Sequence, residues 1–287
     1  MRKSTFLTMA IAMVMVTFVF SCNQKEQITP EVKTLTEAQK KAFWDKGINP
    51  TVVQHINQKN PITGEVTPGF LIEGDMFLAD ANLEEFLNPN HKLAMTGLTG
   101  EQYRTNNLVS VNGSVRTISV IGYTGSGFAL TSKMRTGLQW AINNYNRLNL
   151  RLRFTLSFAA STNADIVVYN NGASGGGGSA GFPTGGNPFK WVQINAGTDG
   201  FSTNVNEHVI GHEIGHCIGF RHTDYFNRSI SCSSGGNEGN GGVGAIHIPG
   251  TPTTNVNSST SLMLACFNSG VDGEFTSSDI TALNFLY

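Results

Sequence analysis

Residues 212–224 read His-Glu-Ile-Gly-His-Cys-Ile-Gly-Phe-Arg-His-Thr-Asp. On a helix, His212 and His216 stand one turn apart and project from one face. Two imidazoles so placed make half of a tetrahedral zinc site, and Glu213 beside them stands where a general base is needed. Gly219 lets the chain leave the helix through a left-handed turn, and His222 returns as a third nitrogen ligand. Three protein ligands leave the fourth position to water, the coordination of a catalytic zinc rather than a closed structural one. The chemistry this predicts is attack of an activated water on a peptide carbonyl. Glu213 takes the proton of that water and passes it to the leaving nitrogen. No residue identifies itself as a second oxyanion donor.

Two neighbouring residues need a reading. His208 lies one turn before His212, but three ligands already complete the site, so a surface or supporting role is expected. Asp224, two residues past His222, either orients a histidine from behind or caps the loop. Two competing functions stay open: a zinc-stabilised surface binding protein without proteolysis, and a zinc hydrolase of a non-peptide amide. An intact Glu213 argues against the first, because a purely structural site has no use for an acid beside the water.

The elements that must position these residues follow from residue 106 onward. Residues 115–123 are rich in β-branched side chains and predict a strand. Met134, Leu138, Ile142, Tyr145 and Leu148 then recur at helical spacing, behind Thr131 and Ser132 as caps. Residues 152–158 alternate Leu152, Phe154, Leu156 and Phe158 on one strand face. Short strands are expected over 164–169 and 191–194. The metal-bearing helix is expected to begin at Asn204, with Glu207 three residues on in a variant of a capping box. Two glycine-rich stretches, 172–181 and 234–245, lack the residues of a phosphate loop or a calcium repeat and are expected to be mobile surface loops, the alternative being loops that border a substrate cleft.

The remainder of the chain sets the context. Of 287 residues, 39% are hydrophobic and 14% charged, enough to bury a core, and the net charge of −1 without a basic block gives no sign of nucleic acid binding. Arg2 and Lys3 precede an apolar run over 6–20, shorter than the ~20 residues of a membrane span but suited to a secretory signal. The run ends at Val19-Phe20-Ser21-Cys22, which resembles a bacterial lipobox and implies lipidation of Cys22; Cys22 is otherwise incidental to an ordinary signal. Export implies an oxidising compartment, where Cys232 and Cys266 are the favoured disulfide pair and Cys217 is a buried filler. The expected organisation is a signal over 1–22, a pro-segment or attached structural domain over 23–105, and a catalytic domain over 106–287. The expected location is the bacterial cell envelope, by a lipid anchor, or the exterior. The expected partners are a protein or peptide substrate and, through the anchor, the membrane.

Taken with its surroundings, the histidine motif resembles the metzincin clan of metallopeptidases, and His-Glu-Ile-Gly-His followed by Gly-Phe-Arg-His-Thr-Asp is most similar to the bacterial HEIGH-type (dual-action) family. Ser261-Leu262-Met263 resembles the clan's Met-turn, which implies that Met263 forms an apolar floor beneath the metal. Where some clan members carry a tyrosine ligand two residues later, this chain has Ala265. Residues 277–287 look like the clan's closing helix. The resemblance implies an α+β fold: a twisted, mostly parallel sheet with an antiparallel edge strand, the zinc helix, and a smaller irregular C-terminal subdomain ending in a helix. Residues 179–183 would be the edge strand that pairs with an extended substrate. Finally, Ile72-Glu73-Gly74-Asp75 resembles the Phe-x-Gly-Asp motif with which astacin pro-segments place an aspartate on the metal. It implies Asp75 as a latency ligand; the plainer reading is a Gly-Asp turn.

Overall fold

The computed structural model describes residues 31–45, 50–72, 74–83, 100–233, 236–239, 244–253 and 261–287. The apolar alternation beginning at Leu152 forms strand β7 (Leu152–Ala159), which pairs in parallel along its length with β6 (Arg116–Tyr123). On the other side of β6 lies β8 (Ile166–Asn170), buried except at its last residue, then β10 (Trp191–Ile194), both parallel. β9 (Gly178–Gly181) pairs antiparallel to β10. Over 106–287 the sheet is therefore parallel except for one antiparallel strand, as the sequence leads one to expect.

That strand is not an edge. β4 (Met76–Ala79) pairs in parallel with β9, matching Met76 to Ala180 and Phe77 to Gly181. An antiparallel meander of β3 (Val66–Ile72), β2 (Val53–Lys59) and β1 (Glu31–Lys33) continues from it. One nine-stranded sheet results, in the order β1-β2-β3-β4-β9-β10-β8-β6-β7. The meander has its own small core, in which Phe43 of helix α1 (Glu37–Asp45) meets Phe70, Ile72, Met76 and Leu78, together with Phe182 from just past β9. No two-residue alternation announces these strands, since His55, Gln58, Pro68 and Gly69 interrupt their apolar positions.

Two helices pack on the parallel half. Helix α2 (Ser132–Arg147) is capped by Thr131, whose hydroxyl accepts from Met134 N, and buries Met134, Leu138, Ala141, Ile142 and Tyr145. It lies against α3 (Thr203–Ile218), whose Val205, Val209, Ile210, Ile214 and Ile218 complete the same core. A second, three-stranded sheet joins β5 (Tyr103–Arg104) antiparallel to β11 (Phe220–Arg221) and β12 (Ile246–His247). Beside β5, Gln102 is fully buried and donates to Ser261 Oγ at 2.9 Å and Asp279 Oδ1 at 2.6 Å. The end of the 23–105 region is thus built into the C-terminal part of the molecule. The closing helix α4 (Ser277–Leu286) starts with a capping box of Thr276 and Asp279. Among the described residues no helix is long and apolar enough to cross a membrane; the signal expected over 1–22, with Cys22, lies outside them.

Candidate metal centre

The N-cap of helix α3 lies two residues earlier than the sequence suggests. Ser202, in extended conformation, is the N-cap and accepts from Val205 N at 3.2 Å, an interaction that stabilises by ~1 kcal/mol. Asn204 and Glu207 are not a capping pair: both lie inside the helix, and Glu207 is buried and accepts from Asn144 Nδ2 at 2.7 Å. The helix then runs through the core, with every residue from Val205 to Ile218 buried. It ends at Gly219, whose φ of 116° reverses the chain where a side chain would be strained.

Reversal delivers His222 to the other two histidines. The ligand nitrogens of His212, His216 and His222 lie within 4.8 Å of one another, all three residues buried. His222 Nε2 is 3.2 Å from the Nε2 of both His216 and His212. Each Nδ1 has an acceptor behind it: Leu262 O for His212 and Phe220 O for His216, both at 2.8 Å, and Glu238 Oε1 for His222 at 2.6 Å. The Nδ1 protons are therefore occupied and the three Nε2 atoms converge. Zinc–nitrogen bonds of about 2.0–2.1 Å at tetrahedral angles separate ligand atoms by roughly 3.3 Å, so the cluster fits such an ion. Burial, followed by the neighbouring imidazoles, lowers His212 and His216 well below the usual range, keeping them as neutral ligands. Burial alone would lower His222 too, but the Glu238 and Asp75 carboxylates outweigh it and hold it up at about 10. A metal ion must displace that proton.

The two carboxylates named for this site both reach it. Asp75, in the turn between β3 and β4, places Oδ2 3.2 Å from His222 Nε2. Its Oδ1 and Glu213 Oε2 are buried and have no hydrogen-bond partner among the described residues. Burial, then the charge of Asp75, push the Glu213 carboxyl well above the carboxylate range. Glu73 of the Ile-Glu-Gly-Asp motif lies outside the described residues.

Met263 packs against the helix at Gly215. It is buried, and a Cβ on Gly215 would fall 2.5 Å from its sulfur, so the helix lies directly on the thioether. Its carbonyl accepts from Thr223 N at 2.7 Å, tying the turn to the residue after His222. Cys232 and Cys266 are joined in a disulfide, and Cys217 is free and buried. Asp224 caps the loop: it accepts from Ala265 N at 3.0 Å and Ser231 Oγ at 2.6 Å. His208 is outside the ligand cluster; it is buried, packs 5.8 Å from the Phe267 ring, and is lowered to about 4 by burial.

Described residues of both glycine-rich stretches border the site. Residues 178–181 are strand β9, and Gly176, Gly177 and Gly178 line a cleft of about 270 Å³ shared with Asp75, His208 and Glu213. In the second stretch, Glu238 is fully buried against His222, Arg221 and Arg228. Burial would raise its carboxyl, but His222 and then the two arginines outweigh burial and hold it down at about 2. Sequence reasoning missed it. The available signal was that Glu238 is the one charged residue in an otherwise uncharged run over 231–245.

Comparison with known proteins agrees with this geometry. The sequence model of the dual-action HEIGH metallo-peptidases matches residues 70–287. Two solved structures of myroilysin are similar. One is 14% identical, covers 61% of this chain and 95% of its own, and has a TM-score of 0.38. The other is 13% identical, with 60% and 90% coverage and a TM-score of 0.33. No curated protein sequence matches the chain.

Proposed function

The chain belongs to the dual-action HEIGH metallo-peptidases, and from that premise we propose that it is an exported zinc endopeptidase, lipid-anchored through Cys22 or secreted, and held latent by its own N-terminal region. The observation that carries the reading is the convergence of three Nε2 atoms on one point beside Glu213. Three imidazoles and an adjacent carboxyl group with an unpartnered oxygen suit a single zinc ion open to water and substrate. Zinc held there supplies Lewis acidity, lowering the pKa of water and polarising the scissile carbonyl.

The chain's own residues do the remainder. Glu213, buried and with Oε2 unpartnered, takes the proton of the attacking water and delivers it to the departing amide nitrogen. His212 and His216 are held by backbone carbonyls on a rigid helix, so the ligands do not reorganise during reaction. With β4 removed, β9 would offer its free edge to an extended peptide, which would add as a strand beside it.

Latency is supported by two contacts. Asp75 meets His222 at the ligand nitrogen, and a carboxylate there excludes the water that Glu213 would deprotonate. Moreover, Ala180 N donates to Asp75 O at 3.0 Å, and β4 covers the β9 edge. Removal of the N-terminal region would free both. A fragment beginning at Gly100 keeps β5 and Gln102 in place and is the suitable active form.

The test is cleavage of a denatured protein by that fragment before and after chelation. We expect internal cleavage, its loss on removing the metal, and recovery with one equivalent of zinc. Cleavage unaffected by chelation would reject the metal-dependent reading.

A further inference from the structure

The three histidines are not held alike. His212 and His216 are fixed on a helix, and neutral backbone carbonyls accept from their Nδ1. His222 lies beyond the helix, just past the two-residue strand β11, so its ring orientation depends on what stands behind it. That group is the carboxylate of Glu238, fully buried, with Oε1 2.6 Å from His222 Nδ1.

Glu238 is itself held on all sides. Arg228 Nη1 donates to Oε1 and Arg221 Nη2 to Oε2, each at 3.2 Å. Its backbone N–H donates to Tyr225 O at 2.7 Å. Arg221, fully buried, also donates to Gly239 O at 3.0 Å and Gly244 O at 2.8 Å, fastening the chain at two points after the glutamate. Burying one carboxylate and two guanidinium groups is costly, and similar stability is obtained from apolar packing. The arrangement therefore points to a task at the remaining side chain the carboxylate contacts, the His222 imidazole.

We propose that Glu238 is a positioning residue for the metal: through His222 Nδ1 it fixes the tautomer and ring orientation that aim Nε2 at the ion, and its charge strengthens that ligand. A carboxylate behind a ligating imidazole raises its basicity, and loss of such a partner lowers metal affinity by roughly 10–100-fold. The inference rests on the three histidines binding zinc. It links the 234–245 stretch, remote in sequence from the histidine motif, to the occupancy of the site.

The test uses the full chain, with zinc affinity measured by competition against a chromophoric chelator and folding followed by circular dichroism. In Glu238→Gln the zinc dissociation constant should rise about 10–100-fold. Arg228→Gln loosens the same loop but leaves the His222–Glu238 contact, and should stay within a few-fold of the parent. Unchanged affinity in folded Glu238→Gln, or equal loss in both variants, would overturn the proposal. Should Glu238→Gln fail to fold, ring nitrogen and proton NMR of the zinc-loaded parent decides. A proton on His222 Nδ1, shifted far downfield by the carboxylate, supports the assignment, and an unprotonated Nδ1 overturns it. A parent chain that takes up no zinc would instead reject the metal reading itself.

Discussion

Asp75 Oδ2 stands 3.2 Å from Nε2 of His222, so a residue of the N-terminal meander meets the third histidine at the atom that would bind metal. If that contact enforces latency, Asp75→Ala in the uncut chain raises peptidase activity toward that of the fragment from Gly100. The gain should be partial, because β4 still covers β9 in the variant. Initial rates on a denatured protein measure it. Equal, low rates for variant and parent beside a fully active fragment would remove the aspartate switch and leave blocking by β4.

The second prediction concerns the ligand set. In the fragment from Gly100, His222→Ala leaves two of the three clustered nitrogens, too few for a stable zinc site. Zinc by elemental analysis after dialysis should fall from about one per chain to a small fraction of that. Unchanged content would take His222 out of the site.

A third prediction comes from Glu207, whose carboxyl is raised to about 7, chiefly by burial and then by Glu274. Its folded pKa lies above the unfolded value, so the native state binds more protons between the two. Stability from this group is therefore lost as pH rises from the unfolded value through about 7. Glu207→Gln keeps an acceptor for Asn144 and has no proton to lose. Its melting temperature, relative to the parent, should be distinctly higher at pH 8 than at pH 5. The same difference at both pH values would contradict the shift.

Anchoring gives a fourth. Under the lipobox reading, Cys22→Ser moves the protein from the membrane fraction to the soluble one, since several acyl chains anchor stably where one does not. Detergent partitioning of parent and variant is the measurement. Identical partitioning would leave Cys22 without a role.

How far the sequence reaches depends on distance along the chain. The helix, Gly219 and His222 are legible because their geometry is set within a few residues: one helical turn, then one left-handed reversal. Helix α2 and strand β7 are legible from periodicity and β6 from its β-branched run, since one face of each is buried by the same core. The caps are harder. Ser202 and Asn204 are both good capping residues; Ser202 takes the cap, and Glu207 is buried against Asn144. What fails is pairing across long separations. The parallel match of Met76 with Ala180 depends on two short strands without alternation, one of them glycine-rich. Glu238 is hidden for the same reason: its partners are a histidine and two arginines outside its own loop.

The central claim, that Glu213 moves the proton while the histidines hold the metal, is tested most directly by Glu213→Ala in the fragment from Gly100. Zinc content and turnover of a denatured protein are measured on the same preparation. The account predicts one zinc per chain and a rate reduced by at least ~10²–10⁴-fold, the usual contribution of a general base. A zinc-loaded variant that cleaves at the parental rate would contradict it.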